Sequence, residues 1–250
     1  LGDVYKRQIY LLLFFKMKHR ILFLLFLNFS STLVSQVYEI GFSVGGTNYV
    51  GDIGSTKYIQ PNQLAGNLFF KYNYNPRIAL RGTYSYLPIK GSDANADTPF
   101  RIDRDLGSFS NTIHELAVGM EYNFYEYDIS SSAKSWTPYL LFELAAFNYT
   151  GISGEEDANG NGDIDATEYQ YAQKTKFAVP IGIGFKSLLS GAFAFAFETK
   201  IRYTFADDLD TISGSNRALK IEGNGNDWYV FTGASLIYTF GRPSCYAQGF

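Results

Sequence analysis

The sequence predicts an all-β fold, an eight-stranded antiparallel transmembrane outer-membrane β-barrel, and three observations carry that prediction. The first is the length of the alternating segments. From Ala192 to Phe205 the chain reads A-F-A-F-A-F-E-T-K-I-R-Y-T-F. Phe193, Phe195, Phe197, Thr199, Ile201, Tyr203 and Phe205 share one parity, and Ala192, Ala194, Ala196, Glu198, Lys200, Arg202 and Thr204 share the other. Successive side chains of a strand point to opposite faces. An ordinary strand runs about five or six residues. This one is about twice as long, near the length that crosses a bilayer at a tilt. The second observation is the distribution of charge. Glu39, Lys71, Arg81, Glu115, Glu121, Glu143, Lys176, Lys186, Glu198, Lys200 and Arg202 all fall on the parity opposite the aromatic one. Charge in hydrocarbon is costly, so this parity is expected to line a lumen where both signs pair, and the aromatic parity to face lipid. The third is that short and long connections alternate, as in outer-membrane barrels.

The eight segments are Val37–Gly46, Leu64–Tyr72, Ile78–Leu87, Thr112–Phe124, Pro138–Thr150, Lys174–Lys186, Ala192–Phe205 and Trp228–Phe240. Asn73–Arg77 is a tight Asn/Pro turn, Tyr125–Thr137 a moderate connection and Ser187–Gly191 a tight one. Four longer polar loops, 47–63, 88–111, 151–173 and 206–227, lie between them and are expected on the outer face. An even strand count places both termini in the periplasm. An eight-stranded barrel is just wide enough to be filled by its own side chains, so a plugged barrel is expected rather than a diffusion pore.

Composition agrees with this. Aromatic residues make up 18% of 250 residues, which suits aromatic girdles. The net charge of -3 supplies no basic field for nucleic acid. After the N-terminal region no run approaches the roughly 18 apolar residues of a transmembrane helix. Residues 1–16 read as a non-native or upstream-translated segment. Residues 17–35 read as a signal peptide, with basic Lys18, His19 and Arg20, an apolar run Ile21–Phe29 and a small-polar stretch Ser30–Ser35. Residues 36–250 read as a single barrel domain. The sole cysteine, Cys245, permits no intramolecular disulfide or CxxC pair, and the two histidines, His19 and His114, make no metal or triad site.

One segment carries metal-ligand spacing. Asp157, Asn159, Asn161, Asp163, Asp165 and Glu168 stand at positions 1, 3, 5, 7, 9 and 12 of an EF-hand-like calcium loop, with Gly162 at the sharp turn. Such spacing wraps hard oxygens around one cation. A solvated acidic loop is the alternative, because no helices flank the segment. No other cofactor is expected. Gly45-Gly46 and Gly51-Asp52-Ile53-Gly54 read as turn chemistry rather than a phosphate cradle, since no helix follows. Asp207, Asp208 and Asp210 read as a solvated acidic loop. Glu115 and Glu121 lie about 20 Å apart along one strand, too far for a paired acid and base. No catalytic constellation is present in the sequence, and a non-enzymatic protein is expected.

Four blocks carry a family resemblance. Gly45-Gly-Thr-Asn-Tyr-Val-Gly-Asp-Ile-Gly54, Asn75-Pro-Arg-Ile-Ala-Leu-Arg-Gly82, Phe177-Ala-Val-Pro-Ile-Gly-Ile-Gly-Phe-Lys186 and Tyr238-Thr-Phe-Gly-Arg-Pro243 resemble the PorG-type outer-membrane proteins of Bacteroidota, which belong to the type IX secretion system. The resemblance covers Val37 to about Pro243. It implies an outer-membrane barrel, in contact with membrane lipids, that associates with periplasmic ring proteins of the secretion machine. It transfers no catalytic residues, and the calcium-like loop departs from the pattern. The alternative is a general small barrel for surface binding, adhesion or solute passage. A soluble lipocalin-type barrel would instead place its aromatic parity inside.

Overall fold

The structure, a computed structural model, describes residues 37–104, 107–127, 136–155, 169–190, 192–210 and 226–241. The predicted signal peptide, the calcium-like loop 157–168 and Cys245 lie outside the described residues. Eight strands are present among the described residues: β1 (Val37–Val50), β2 (Gln63–Asn75), β3 (Ile78–Ser92), β4 (Ser108–Asn123), β5 (Trp136–Glu155), β6 (Tyr169–Ser190), β7 (Phe193–Thr204) and β8 (Trp228–Phe240). Each pairs antiparallel with its sequence neighbours, and β1 closes on β8 from Tyr38↔Phe240 to Val50↔Trp228. The result is the closed eight-stranded barrel of outer-membrane type. A short 3₁₀ turn (Asp93–Asn95) and a six-residue helix α1 (Pro99–Arg104) sit in the connection between β3 and β4.

The alternation in sequence becomes inside and outside of the barrel. In β7 the odd residues Phe193, Phe195 and Phe197 are exposed, and Ala194, Ala196, Glu198, Lys200 and Arg202 are buried. Leu68, Leu116, Val118, Leu144, Ile181 and Ile183 are exposed on the neighbouring strands at outward parity. Aromatic rings flank this aliphatic band. At the end with the short turns, Tyr38 stacks on Phe70 at 5.5 Å, Trp136 meets Tyr125 at 5.1 Å and Phe193 meets Tyr238 at 5.3 Å. At the end with the long loops, Tyr203 packs edge-on against Trp228 at 5.0 Å, and His114 lies between Tyr84 and Tyr86. His114 Nδ1 is 2.9 Å from the Tyr84 hydroxyl on the outward face, as its parity requires. Amphipathic rings at both edges of an apolar band are the signature of a barrel embedded in lipid.

All eight predicted segments are strands, but several continue further. Residues 151–155 and 169–173, expected in a loop, stay paired as the outer parts of β5 and β6. Hydrophobic alternation ends where lipid ends, whereas backbone pairing continues into water with polar side chains. Pro180 marks one irregularity. It has no N–H to donate, and the β5–β6 pairing lapses between Phe142↔Ile181 and Ala145↔Ala178 without a change of register. The tight turn between β2 and β3 is built by Asn75, whose Oδ1 accepts the N–H groups of Arg77 and Ile78 at 2.8 Å each.

Leu144 is 60% exposed on the outward face. A cation placed in the middle of the lipid-facing band costs about 2–4 kcal/mol. Leu144→Arg is therefore expected to lower the unfolding free energy in lipid vesicles by about that amount, read by guanidinium titration of tryptophan fluorescence.

Candidate functional site

The lumen is the most unusual part of the molecule. Among the described residues, five glutamates (Glu39, Glu115, Glu121, Glu143, Glu198) and five cations (Lys71, Arg81, Lys186, Lys200, Arg202) are buried on the barrel wall, so the interior charge balances. Glu121 binds Lys186 at 2.5 Å and Lys71 at 2.6 Å. Lys71 also faces Glu39 at 3.7 Å. Arg81 reaches across the lumen to Glu198 at 2.6 Å and lies over the Phe69 ring at 4.1 Å. Glu198 accepts a further bond from the Tyr139 hydroxyl at 2.8 Å. Lys200 binds Glu143 at 2.7 Å, and Thr83 donates to the same carboxylate at 2.7 Å. Nearer the loop end, Arg202 grips Glu115 through two nitrogens at 2.9 and 3.0 Å, with the Tyr229 hydroxyl added at 2.8 Å. Glu115 and Glu121 thus serve separate ion pairs. Aromatic rings fill the remaining width. Tyr139 lies over Gly184, where a Cβ would meet the ring at 2.3 Å.

Both ends of the lumen are stoppered. At the turn end, the segment after β4 folds under the barrel and buries Tyr127, whose ring sits 4.3 Å from Lys186 Nζ. Burial, together with Glu39 and Glu121, raises the pKa of the Tyr127 hydroxyl well above its ordinary value, so it stays neutral. At the loop end, Ile53, Ala206 and Leu209 drop from their loops onto Tyr49, Ile89, Phe109, Phe147, Tyr149 and Phe231 to form an apolar cluster. Gly54, at φ 88, makes the turn that brings Ile53 inward. Arg101 of α1 clamps that turn by donating to the carbonyls of Gly51 and Gly54 at 2.7 Å each. The Gly-rich segment is therefore a turn, and it also caps the barrel.

Several sequence expectations change here. Lys176 has inward parity but is exposed, because β7 ends below it and the wall opens on that side. Asp208 and Asp210 are buried rather than solvated. Asp208 pairs with Lys174 at 2.7 Å and accepts the Tyr149 hydroxyl. Asp210 accepts the Tyr49 hydroxyl at 2.9 Å, and Tyr49 also bonds Asp227. Sequence reasoning missed Asp227, Asn111 and the luminal tyrosines. Their signal was a hydroxyl-bearing ring on the charged parity, as with Tyr139 two turns of the pleat before Glu143. Asn111 fills a split between β4 and β5 by donating to the carbonyl of Thr150 at 2.8 Å and accepting its N–H at 3.2 Å, and it donates to the Leu209 carbonyl at 3.0 Å. Among the described residues no cluster of three metal-ligating side chains forms, and the calcium-like set Asp157–Glu168 lies outside them.

The luminal ion pairs and the loop-end carboxyls are each open to test. Breaking a buried ion pair strands its partner at a cost of about 3–5 kcal/mol. Arg81→Ala is expected to destabilise by that order in urea titrations, whereas Arg81→Met combined with Glu198→Leu recovers most of the loss. The second test concerns Asp227, which precedes β8. Burial and then the neighbouring Asp210 push its pKa up to about 8 from 3.8. A raised folded value contributes stability that is fully present below the unfolded pKa and is lost as pH rises through about 8. The unfolding free energy, read by urea titration at each pH, should therefore fall as pH rises from about 4 to about 8 and level off above it. Asp227→Asn should flatten that dependence.

Comparisons with known proteins return small outer-membrane barrels. Ail, the attachment invasion locus protein of Yersinia pestis, is 10% identical, with 83% of this chain and 100% of that chain covered at a TM-score of 0.44. Neisserial surface protein A is 10% identical over 82% of this chain and 97% of its own, at 0.46. A major outer membrane protein of Thermus thermophilus is 10% identical over 83% and 100%, at 0.44. A search of the curated proteins finds no match by sequence. A family described as a domain of unknown function, DUF6089, matches residues 18–249. The match spans nearly the whole sequence, and the chain belongs to the DUF6089 family.

Proposed function

We propose that the protein is a non-enzymatic outer-membrane β-barrel that serves as a component of the type IX secretion machinery, with its turn end and both termini in the periplasm beside the ring proteins. The observation that carries this is the filled lumen. Ten paired charges, their aromatic neighbours and a stopper at each end occupy the interior, so the barrel's use lies in its two surfaces rather than in conduction. Three of the four blocks that resemble PorG-type proteins, Asn75–Gly82, Phe177–Lys186 and the described part of Tyr238–Pro243, run to the turn end. That end also exposes Tyr74, Phe124, Tyr125 and an Arg77–Glu126 pair at 3.3 Å. It is the surface a periplasmic partner would meet.

A second function, a free-standing surface-binding barrel, draws support from the other end, where β6, paired with β5, runs past the end of β7. Affinity capture of the tagged barrel from cross-linked native outer membranes separates the two. Near-stoichiometric recovery of periplasmic ring proteins is expected, and recovery of the barrel alone would overturn the secretion role. In planar bilayers the purified barrel is expected to show no large, stable conductance steps; their appearance would refute the filled lumen. Calcium in the 157–168 loop is a separate proposal. Calorimetry with millimolar calcium should show heat that Glu168→Ala removes.

A further inference from the structure

β6 outruns β7 at the loop end. Their ladder starts at Ser190↔Phe193, reaches Ala178↔Thr204 and ends with one bond, from the Phe205 N–H to the Phe177 carbonyl at 3.0 Å. β6 continues to Tyr169, held on its other side by β5 as far as Glu155↔Tyr169. Residues Tyr171 to Lys176 therefore form a sheet edge among the described residues. Backbone groups point alternately to the two sides of a strand. Since Phe177 turns its carbonyl toward β7, Thr175, Gln173 and Tyr171 turn their N–H and C=O groups to the same, open side. An edge of this kind is a ready template for another strand. Neither proline nor a bulge in β6 interrupts it; the irregularity lies in β5, between Ile152 and Gly154.

Charge narrows the occupant. At the foot of the edge is an open cavity of about 560 Å³ lined by Lys174, Lys176, Phe205, Asp207, Asp208 and Asn226, among others. Lys174 is neutralised by Asp208 at 2.7 Å. Lys176 is exposed and has no ion pair among the described residues. Tyr171–Lys176 contains two lysines and no acidic residue. Two copies of the edge brought together would thus face cation with cation, which disfavours self-pairing. A strand carrying an acidic side chain is complementary in both backbone and charge.

We propose that the β6 edge from Tyr171 to Lys176 docks an extended, acidic polypeptide segment of another protein, which adds as a strand beside Tyr171, Gln173 and Thr175 and sets a carboxylate against Lys176. This goes beyond the secretion role and does not depend on it. The test uses the full barrel in lipid nanodiscs and two fluorescent peptides of about ten residues, one alternating Thr and Glu, the other Thr and Lys. Anisotropy should show the acidic peptide bound at least about tenfold more tightly. Lys176→Glu should reverse the preference. Thr175→Pro, which removes an open-side donor, should abolish binding while the heat-modifiable gel shift of the barrel is kept. Equal affinity for both peptides, undiminished binding by folded Thr175→Pro, or no binding at millimolar peptide would overturn the proposal. So would a wild-type dimer in sedimentation that Thr175→Pro dissolves, since the edge would then belong to a second copy. The Lys176→Glu measurement decides the matter even where Thr175→Pro does not fold.

Discussion

Charge enclosed by a lipid-facing wall must be neutralised, and the barrel is built around that requirement. The outward parity is committed to lipid, so charged side chains on the membrane-crossing strands can point only inward. Inside an eight-stranded ring there is room for side chains but little for water. A charge there must meet its opposite or carry a large desolvation penalty. The five glutamates and five cations do meet, and most are joined by a hydroxyl or a ring as well. Glu121 between Lys71 and Lys186, and Glu198 between Arg81 and Tyr139, tie several strands together through single carboxylates.

The two ends meet the same requirement differently. At the turn end the ionic layers continue almost to the rim, and one ring, Tyr127, closes them over Lys186. At the loop end the ionic layers stop at Glu115 and Arg202, and an apolar cluster takes over. Above it lies a second polar tier, in which Tyr49 and Tyr149 hold Asp210, Asp227 and Asp208. The loop after β7 is joined there to β1 and β5 by buried carboxyls and hydroxyls.

A filled interior shifts attention from transport to surfaces. Among the described residues the turn end is aromatic and closely tied to the barrel. The loop end is asymmetric, since the β5–β6 ribbon rises past β7 and, among the described residues, leaves backbone groups and Lys176 open.

Much of this was legible in the chain itself. Strand number, the outward face of Phe193, Phe195 and Phe197, the inward face of Glu198, Lys200 and Arg202, and the tight turn at Asn75–Arg77 follow from parity and turn chemistry, which are local properties. The ends of β5 and β6 were not legible, because pairing in water leaves no hydrophobic alternation to read. Nor were the solitary exposure of Lys176 and the burial of Asp208 and Asp210, because both depend on where a neighbouring strand stops and which loop folds inward. The partner of each charge was equally hidden. Arg81 and Glu198 are separated by 117 positions and by the width of the barrel. Residue parity alone dictates that charges line the lumen. Ring closure sets which rows face one another across it, and so it selects which carboxylate meets which cation.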